Sequence, residues 1–338
     1  MYDTQGMKGK SLATAIEDFI DVIRLSRSEN TARSYANGLT AFRESLNDHG
    51  LDPEEIPASK VSETWVGWFA AYLKDYSPAT EQLYIMAVTR FYQYLVAEEL
   101  APINLQRVQM IVQARSRRPG QRLPQFPREE IRKVLDYATN LPEMPFENEN
   151  DRLRNLRDAA FIVCLADTGM RVHEICKLRR GDIDWNEYKA LIIGKGDQQA
   201  IIRFSSRAMR LLRGYLSQRA ELDGISGRPL PSLPLFARHD KGAGKKIKPM
   251  STATGRNIIK QRVKEALGDE ASGAITPHSF RHYFVTNVLR GSGGNLKLAQ
   301  ELARHKNIQV TQRYAHLSSD EIDEQYYEIF ERENIDRE

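Results

Sequence analysis

Apolar residues recur at three- and four-residue spacing through the first hundred positions of the chain. Leu12, Ile16, Phe19, Ile20 and Ile23 form one stripe, Tyr35, Leu39, Phe42 and Leu46 a second, and Trp65, Trp68, Phe69 and Tyr72 a third. That period places each set on one face of a helix. Ser77-Pro78 adds a start signal, serine as N-cap and proline at the first helical position, for a helix carrying Val88, Phe91, Tyr92 and Leu95. Four or five helices and no strand are expected over 10–105. From there to 125 the stripe breaks. Residues 115–124 are basic and punctuated by proline, which predicts an interdomain linker over 106–125.

The second half, 126–338, changes period. Helices are expected near 128–139 and over 156–168, the latter closed by Gly169, a residue able to take the left-handed conformation that ends a helix. Arg171 follows at a sharp turn before a short helix over 172–178. Between 182 and 204 short β-rich runs appear, Ala190 to Ile193 and Ala200 to Phe204, around the turn Gly194-Lys195-Gly196-Asp197. Further helices are expected over 206–222, 252–267, 277–289, 296–303 and 310–314, with 223–250, rich in Gly, Pro and Lys, as a long loop. The chain is thus expected to be mainly α with a small antiparallel sheet, in two domains.

Length suits two domains with separate cores, since the chain has 338 residues. No apolar run approaches a bilayer span and the N-terminus lacks a secretory h-region, so a cytoplasmic protein is expected. Cys164 and Cys176 lie in apolar helical stretches and are expected to be small, reduced core residues. Net charge is +4 but unevenly placed: residues 318–338 carry nine acids against two bases, a tail of −7 that leaves +11 on the body. A basic body with an acidic tail suits a nucleic-acid partner. No Gly-rich phosphate loop and no cluster at metal-ligand spacing is present, so neither cofactor nor metal is expected.

Three blocks carry the chemistry. The first is Thr168-Gly-Met-Arg171-Val-His-Glu174, the second His278-Ser-Phe-Arg281-His282, and the third runs from Leu302-Ala-Arg-His305 to Thr311-Gln-Arg-Tyr314-Ala-His316. In this order and spacing they resemble the tyrosine recombinase, or phage-type integrase, family, and the resemblance spans essentially the whole chain. It implies a helical, SAM-like core-binding domain followed by an α+β catalytic domain. It also implies double-stranded DNA with a specific recombination site as partner, and a homotetramer on two such sites.

Elementary chemistry gives these residues work. A phosphodiester under attack gathers negative charge on its nonbridging oxygens, and two guanidiniums, Arg171 and Arg281, can clamp them. Tyr314 is the candidate nucleophile; Lys195, on its turn, is the candidate acid for the 5′-oxygen leaving group. His278 and His305 are candidates for proton transfer and phosphate hydrogen bonding. His278 and Arg281, three apart, share a helix face, whereas His282 is expected to point elsewhere and brace the site from behind. Glu174 is expected to buttress an arginine or form a local ion pair, and His316 to orient Tyr314. Arg115, Arg117, Arg118 and Arg122 are expected to track the DNA backbone.

Two positions depart from the family pattern. Gln198 and Gln199 stand where a basic residue usually follows the turn lysine. Arg304 replaces the glycine usual before the histidine, read here as a small residue that permits close helix packing. Tyr326 and Tyr327 compete as nucleophiles but sit among acids. Ile322, Tyr326, Ile329 and Phe330 share a face of a helix expected over about 319–333, which by resemblance docks into a neighbouring protomer. The expected function is site-specific recombination through a 3′-phosphotyrosyl bond. A type IB topoisomerase and a binding-only protein of the same fold are the alternatives.

Overall fold

The computed structural model describes residues 9–117, 127–193, 199–240, 242–244, 246–271, 273–305 and 307–315, without the side chains of Ile193 and residues 313–315. The chain divides into two compact units, Met1–Arg122 and Leu123–Glu338.

Unit 1 is helical: α1 (Leu12–Ser26), α2 (Glu29–Asn47), α3 (Thr64–Tyr72), α4 (Pro78–Ala97) and α5 (Leu105–Arg115). Ser77, the cap read in the sequence, accepts a backbone N–H in the first turn of α4, and Ser11 and Ser28 do the same for α1 and α2. Leu12, Leu39, Phe42, Val66, Phe69, Val88, Phe91 and Tyr92 form one buried core. Tyr92 is buried to its hydroxyl, which donates to the Ser62 carbonyl at 2.9 Å.

The structure corrects the start of the linker. Residues 106–115 lie in α5, capped by Asn104, whose side chain accepts the Arg107 N–H at 3.1 Å. Val108 is buried in the unit 1 core, with Ile111 and Val112 packed against it. This helix has a narrow apolar stripe flanked by glutamines and arginines, so its period is faint in the sequence and tertiary packing supplies the stability.

Unit 2 is built around α7 (Glu149–Thr168), with Phe161, Ile162, Val163, Cys164 and Leu165 all buried. Cys176 is buried as well, at the end of α8 (Val172–Lys177). Around α7 lie α6 (Arg128–Asn140), α9 (Ser206–Gln218), α11 (Thr252–Leu267) and α12 (Pro277–Gly291). The sheet is antiparallel, β1 (Ile183–Asp184) to β2 (Lys189–Ile193) to β3 (Gln199–Arg203). Ala190 pairs with Ile202 and faces the core, while the next pair, Leu191 and Ile201, faces outward.

The 223–250 stretch is more ordered than a simple loop. It completes a short helix, α10 (Ala220–Ile225), and buries Leu233, Leu235, Phe236 and Ala237. Arg219, the residue between α9 and α10, fixes it: fully buried, it pairs with Asp223 at 2.9 Å and donates to the Pro234 and Leu235 carbonyls at 2.9 and 3.0 Å. Gly and Pro in the sequence report the turns there, not the apolar residues between them. A second buried network ties α7 to α11, where Arg262 reaches Asp158 at 2.8 Å and Asn155 at 2.9 Å. The chain ends its described part with α13 (Leu296–Ala303) and α14 (Ile308–Ala315).

Candidate active site

The turn after α7 starts the site. Gly169 takes φ 59°, and a Cβ there would meet the Phe284 ring at 2.4 Å, so glycine answers both the backbone and the packing. Two residues on, Arg171 is the N-cap of α8, where Glu174 completes a capping box by accepting the Arg171 N–H at 2.8 Å. The same carboxylate accepts the Arg171 guanidinium at 2.9 Å. Glu174 thus forms an ion pair with Arg171, which both expected readings allow, and caps the helix that presents it.

Arg281 comes from α12, whose start is set by Thr276, Pro277 and Ser279. Its buried guanidinium donates to the carbonyls of Gly169 and Ala303, binding α12 to the α7–α8 turn and to the end of α13. His278 stands at the exposed rim, three residues before. An opening of about 440 Å³ is lined by Arg171, His278, Arg281 and, from α11, Arg256, Asn257 and Lys260. Arg256 and Lys260 had been passed over. Their four-residue spacing on the polar face of α11 is the signal that could have found them.

His305 is buried at the turn between α13 and α14. Its Nδ1 shares a 2.8 Å hydrogen bond with the buried hydroxyl of Thr311, which fixes the ring. Thr311 lies three residues before Tyr314 on α14 and stands in the third block, but its orienting role had gone unread. Tyr314 has its backbone on α14, while its side chain lies outside the described residues, as do Lys195, His316, Arg118, Arg122, Tyr326, Tyr327 and the 319–333 segment.

Three expectations change. His282 does not point elsewhere: its ring is edge-on to His278, with centroids 4.3 Å apart, because residues four apart share a helix face. It braces His278 by direct contact. Arg117 places its guanidinium on the buried Glu81 and on the carbonyls of Leu73 and Tyr76, the last at 2.6 Å, so its described contacts anchor unit 1 instead of facing a DNA backbone. Arg115 lies across Gly67 of α3 and stays exposed. Arg304 sits at φ 58°, ψ 46°, the left-handed cap of α13. The family glycine therefore answers a backbone conformation, one that costs a residue with a Cβ roughly 1–2 kcal/mol.

Electrostatics follow from this crowding of cations. His278 is held below the ordinary histidine range, by burial first and then by Arg281 and Arg171. His282 and His305 are pushed down to about 4, again by burial first and then by the charges around them. For His305 those neighbours are Arg281, Arg171, His278 and His282, which places both candidate arginines and both candidate histidines in one field. Guanidiniums beside neutral imidazoles make a site that attracts an anion and can still move a proton. Among the described residues no group of three or more His, Cys, Asp or Glu side chains could hold a metal ion. None of the described helices is long and apolar enough to cross a membrane.

Residues 127–321 match the model of the phage integrase family, and residues 16–99 match that of the phage integrase N-terminal SAM-like domain. A tyrosine recombinase XerC of Myxococcus xanthus is 27% identical over 303 residues, 88% of this chain and 91% of that protein. One of Pelobacter propionicus is 32% identical over 242 residues, 72% and 70% of the two chains. Among solved structures, XerH recombinase bound to its palindromic difH substrate superposes with a TM-score of 0.65 at 20% identity, covering 92% of this chain and 83% of that one. A lambda integrase dimer bound to a COC′ core site gives 0.58 at 15% identity, covering 90% and 95%. The chain belongs to the phage integrase family and is a tyrosine-type site-specific DNA recombinase.

Proposed function

We propose that the chain cuts and rejoins duplex DNA at a specific site through a 3′-phosphotyrosyl bond on Tyr314. The observation that carries this reading is the convergence of Arg171, Arg281, His278 and His305 in one cationic field, with α14 carrying Tyr314 one turn beyond Thr311. Arg171 and Arg281 clamp the nonbridging oxygens. His278 and His305 hydrogen-bond the phosphate and take up the tyrosine proton. The Tyr314 oxygen bonds to phosphorus as the bond to the 5′-oxygen breaks, and that oxygen takes a proton from Lys195. Attack by a 5′-hydroxyl of the partner duplex then releases the tyrosine. Bond energy is kept in the covalent link, so no nucleotide cofactor enters the balance.

Under this reading the protein works in the cytoplasm as a homotetramer holding two DNA sites. Residues 10–105 and 126–338 clamp the duplex, and the tail couples neighbouring protomers. The test is a nicked duplex carrying a site selected from bound genomic fragments, incubated with EDTA and resolved on a denaturing gel. Wild type is expected to leave a protein–DNA adduct that Tyr314→Phe does not form. Tight binding without an adduct would overturn the reading and leave a binding protein. Relaxation of supercoils without exchange between two sites would move it to a type IB topoisomerase.

A further inference from the structure

Arg304 holds a backbone conformation that glycine would adopt without strain, and its side chain is spent inside the active site. The guanidinium is only 13% exposed; Nη1 lies 3.1 Å from Glu174 Oε2, and Nη2 donates to the Gly169 carbonyl at 3.5 Å. Glu174 is therefore shared. One oxygen takes the Arg171 guanidinium, and the other takes both the Arg171 N–H and Arg304.

This sharing bears on what Arg171 can do. To clamp a phosphate, its guanidinium must turn from Glu174 toward the incoming oxygens. The carboxylate left behind is 8% exposed, and a buried charge that loses its partner is costly. With no second cation, Glu174 would hold Arg171 back. Arg304 removes that penalty, since it stays beside Oε2 of Glu174, the oxygen that the Arg171 guanidinium does not hold. Its charge is also the strongest of those that hold the Glu174 carboxyl below the usual carboxylate range against burial.

We infer that Arg304 is a positioning residue that keeps Glu174 paired while the Arg171 guanidinium transfers to the scissile phosphate. The inference rests on Arg171 acting as a phosphate clamp, as in the function proposed above. It gives a role to a buried cation of this site held in a backbone conformation that glycine would adopt without strain.

The test uses the full chain and the same nicked duplex in single-turnover cleavage, with melting temperatures measured alongside. Arg304→Gly is expected to melt no lower than wild type, because glycine suits φ 58°, while cleaving about tenfold more slowly. Arg304→Lys keeps the charge and should restore part of the rate. In a Glu174→Gln background there is no carboxylate charge to hold, so adding Arg304→Gly should change the rate by less than about twofold.

Wild-type cleavage by Arg304→Gly overturns the inference alone. So does a full loss that persists in the Glu174→Gln background, which would put Arg304 on the phosphate itself. A slowed rate that tracks a lowered melting temperature, without rescue by lysine, assigns Arg304 to packing. A silent wild type removes the strand-cleavage reading and this inference with it.

Discussion

Glu81 in unit 1 and Glu174 in unit 2 each take a backbone N–H, the side chain of that same arginine and a second cation. Glu81 accepts the Arg117 N–H at 2.8 Å, the Arg117 guanidinium, and Lys74 at 3.0 Å. Glu174 accepts the Arg171 N–H at 2.8 Å, the Arg171 guanidinium at 2.9 Å, and has Arg304 at 3.1 Å. What separates the two is where the arginine's other donors go. Arg117 spends them on the Leu73 and Tyr76 carbonyls. The Arg171 side chain is 45% exposed, donates to Glu174 alone among the described hydrogen bonds, and lines the opening beside His278. The same chemistry makes a fastener in one unit and, under the proposed function, a movable ligand in the other. Saturation of the guanidinium decides which.

That comparison is breakable, and the largest effect expected is on Arg171. Arg171→Ala should lower single-turnover cleavage by ~10²–10³-fold, the usual loss when one preorganised donor to a charged transition state is removed. Its melting temperature should move little, since the Arg171 side chain is half-exposed and the buried Glu174 keeps Arg304 and the backbone N–H of residue 171. An Arg171→Ala variant that cleaves normally but melts early would reverse the assignment of the two arginines.

Arg117→Ala should show the opposite profile. It leaves Glu81, 0% exposed, with Lys74 and the backbone N–H of residue 117, and a cost of about 2–3 kcal/mol is expected, below that of a wholly buried pair because those partners remain and Arg117 and Lys74 touch water. Denaturant unfolding followed by Trp65 and Trp68 reads this unit, and DNA affinity at fixed salt should stay near wild type. A large loss of affinity with unchanged stability would return Arg117 to the DNA backbone.

Near pH 6, where these shifts have only begun to act, the effect expected on acid stability is small, and it also separates the units. His282 and His305 have folded values of about 4 against about 6.5 when unfolded. Between those values the unfolded chain binds more protons, so stability from keeping these rings neutral is present above 6.5 and lost as pH falls toward 4. In Glu81, burial raises the carboxyl but the hydrogen bonds from Arg117 and Lys74 prevail and hold it below the usual range. Its contribution is therefore lost only when pH falls through that lowered value. Unit 2, followed by Trp185, should begin to weaken near pH 6, before the Glu81 contribution in unit 1 is lost. Simultaneous onset in both units would count against this account of the histidine field.

Much of the site was legible because its residues come in local blocks. Glycine before Arg171, proline before His278 and the three-residue step from His278 to Arg281 each encode a turn or a helix face within a few positions. His282 was misplaced for a reason just as local: the four-residue step to His278 puts both rings on one face. Arg304, Arg117 and the 223–250 stretch could not be read this way, because their partners Glu174, Glu81 and the Arg219 side chain lie outside those segments.

The sequence alone determined the two-domain division, the order of helices and sheet, and the three blocks that name the chemistry. Periodicity, caps and turn residues act over a few positions, and those positions are contiguous. The tertiary structure decided which cation neutralises which carboxylate, and so which guanidinium is saturated by protein partners and which keeps an exposed face. That choice depends on burial and on distances across elements up to 135 residues apart, from Gly169 to Arg304, where a guanidinium has neighbours that no local pattern records.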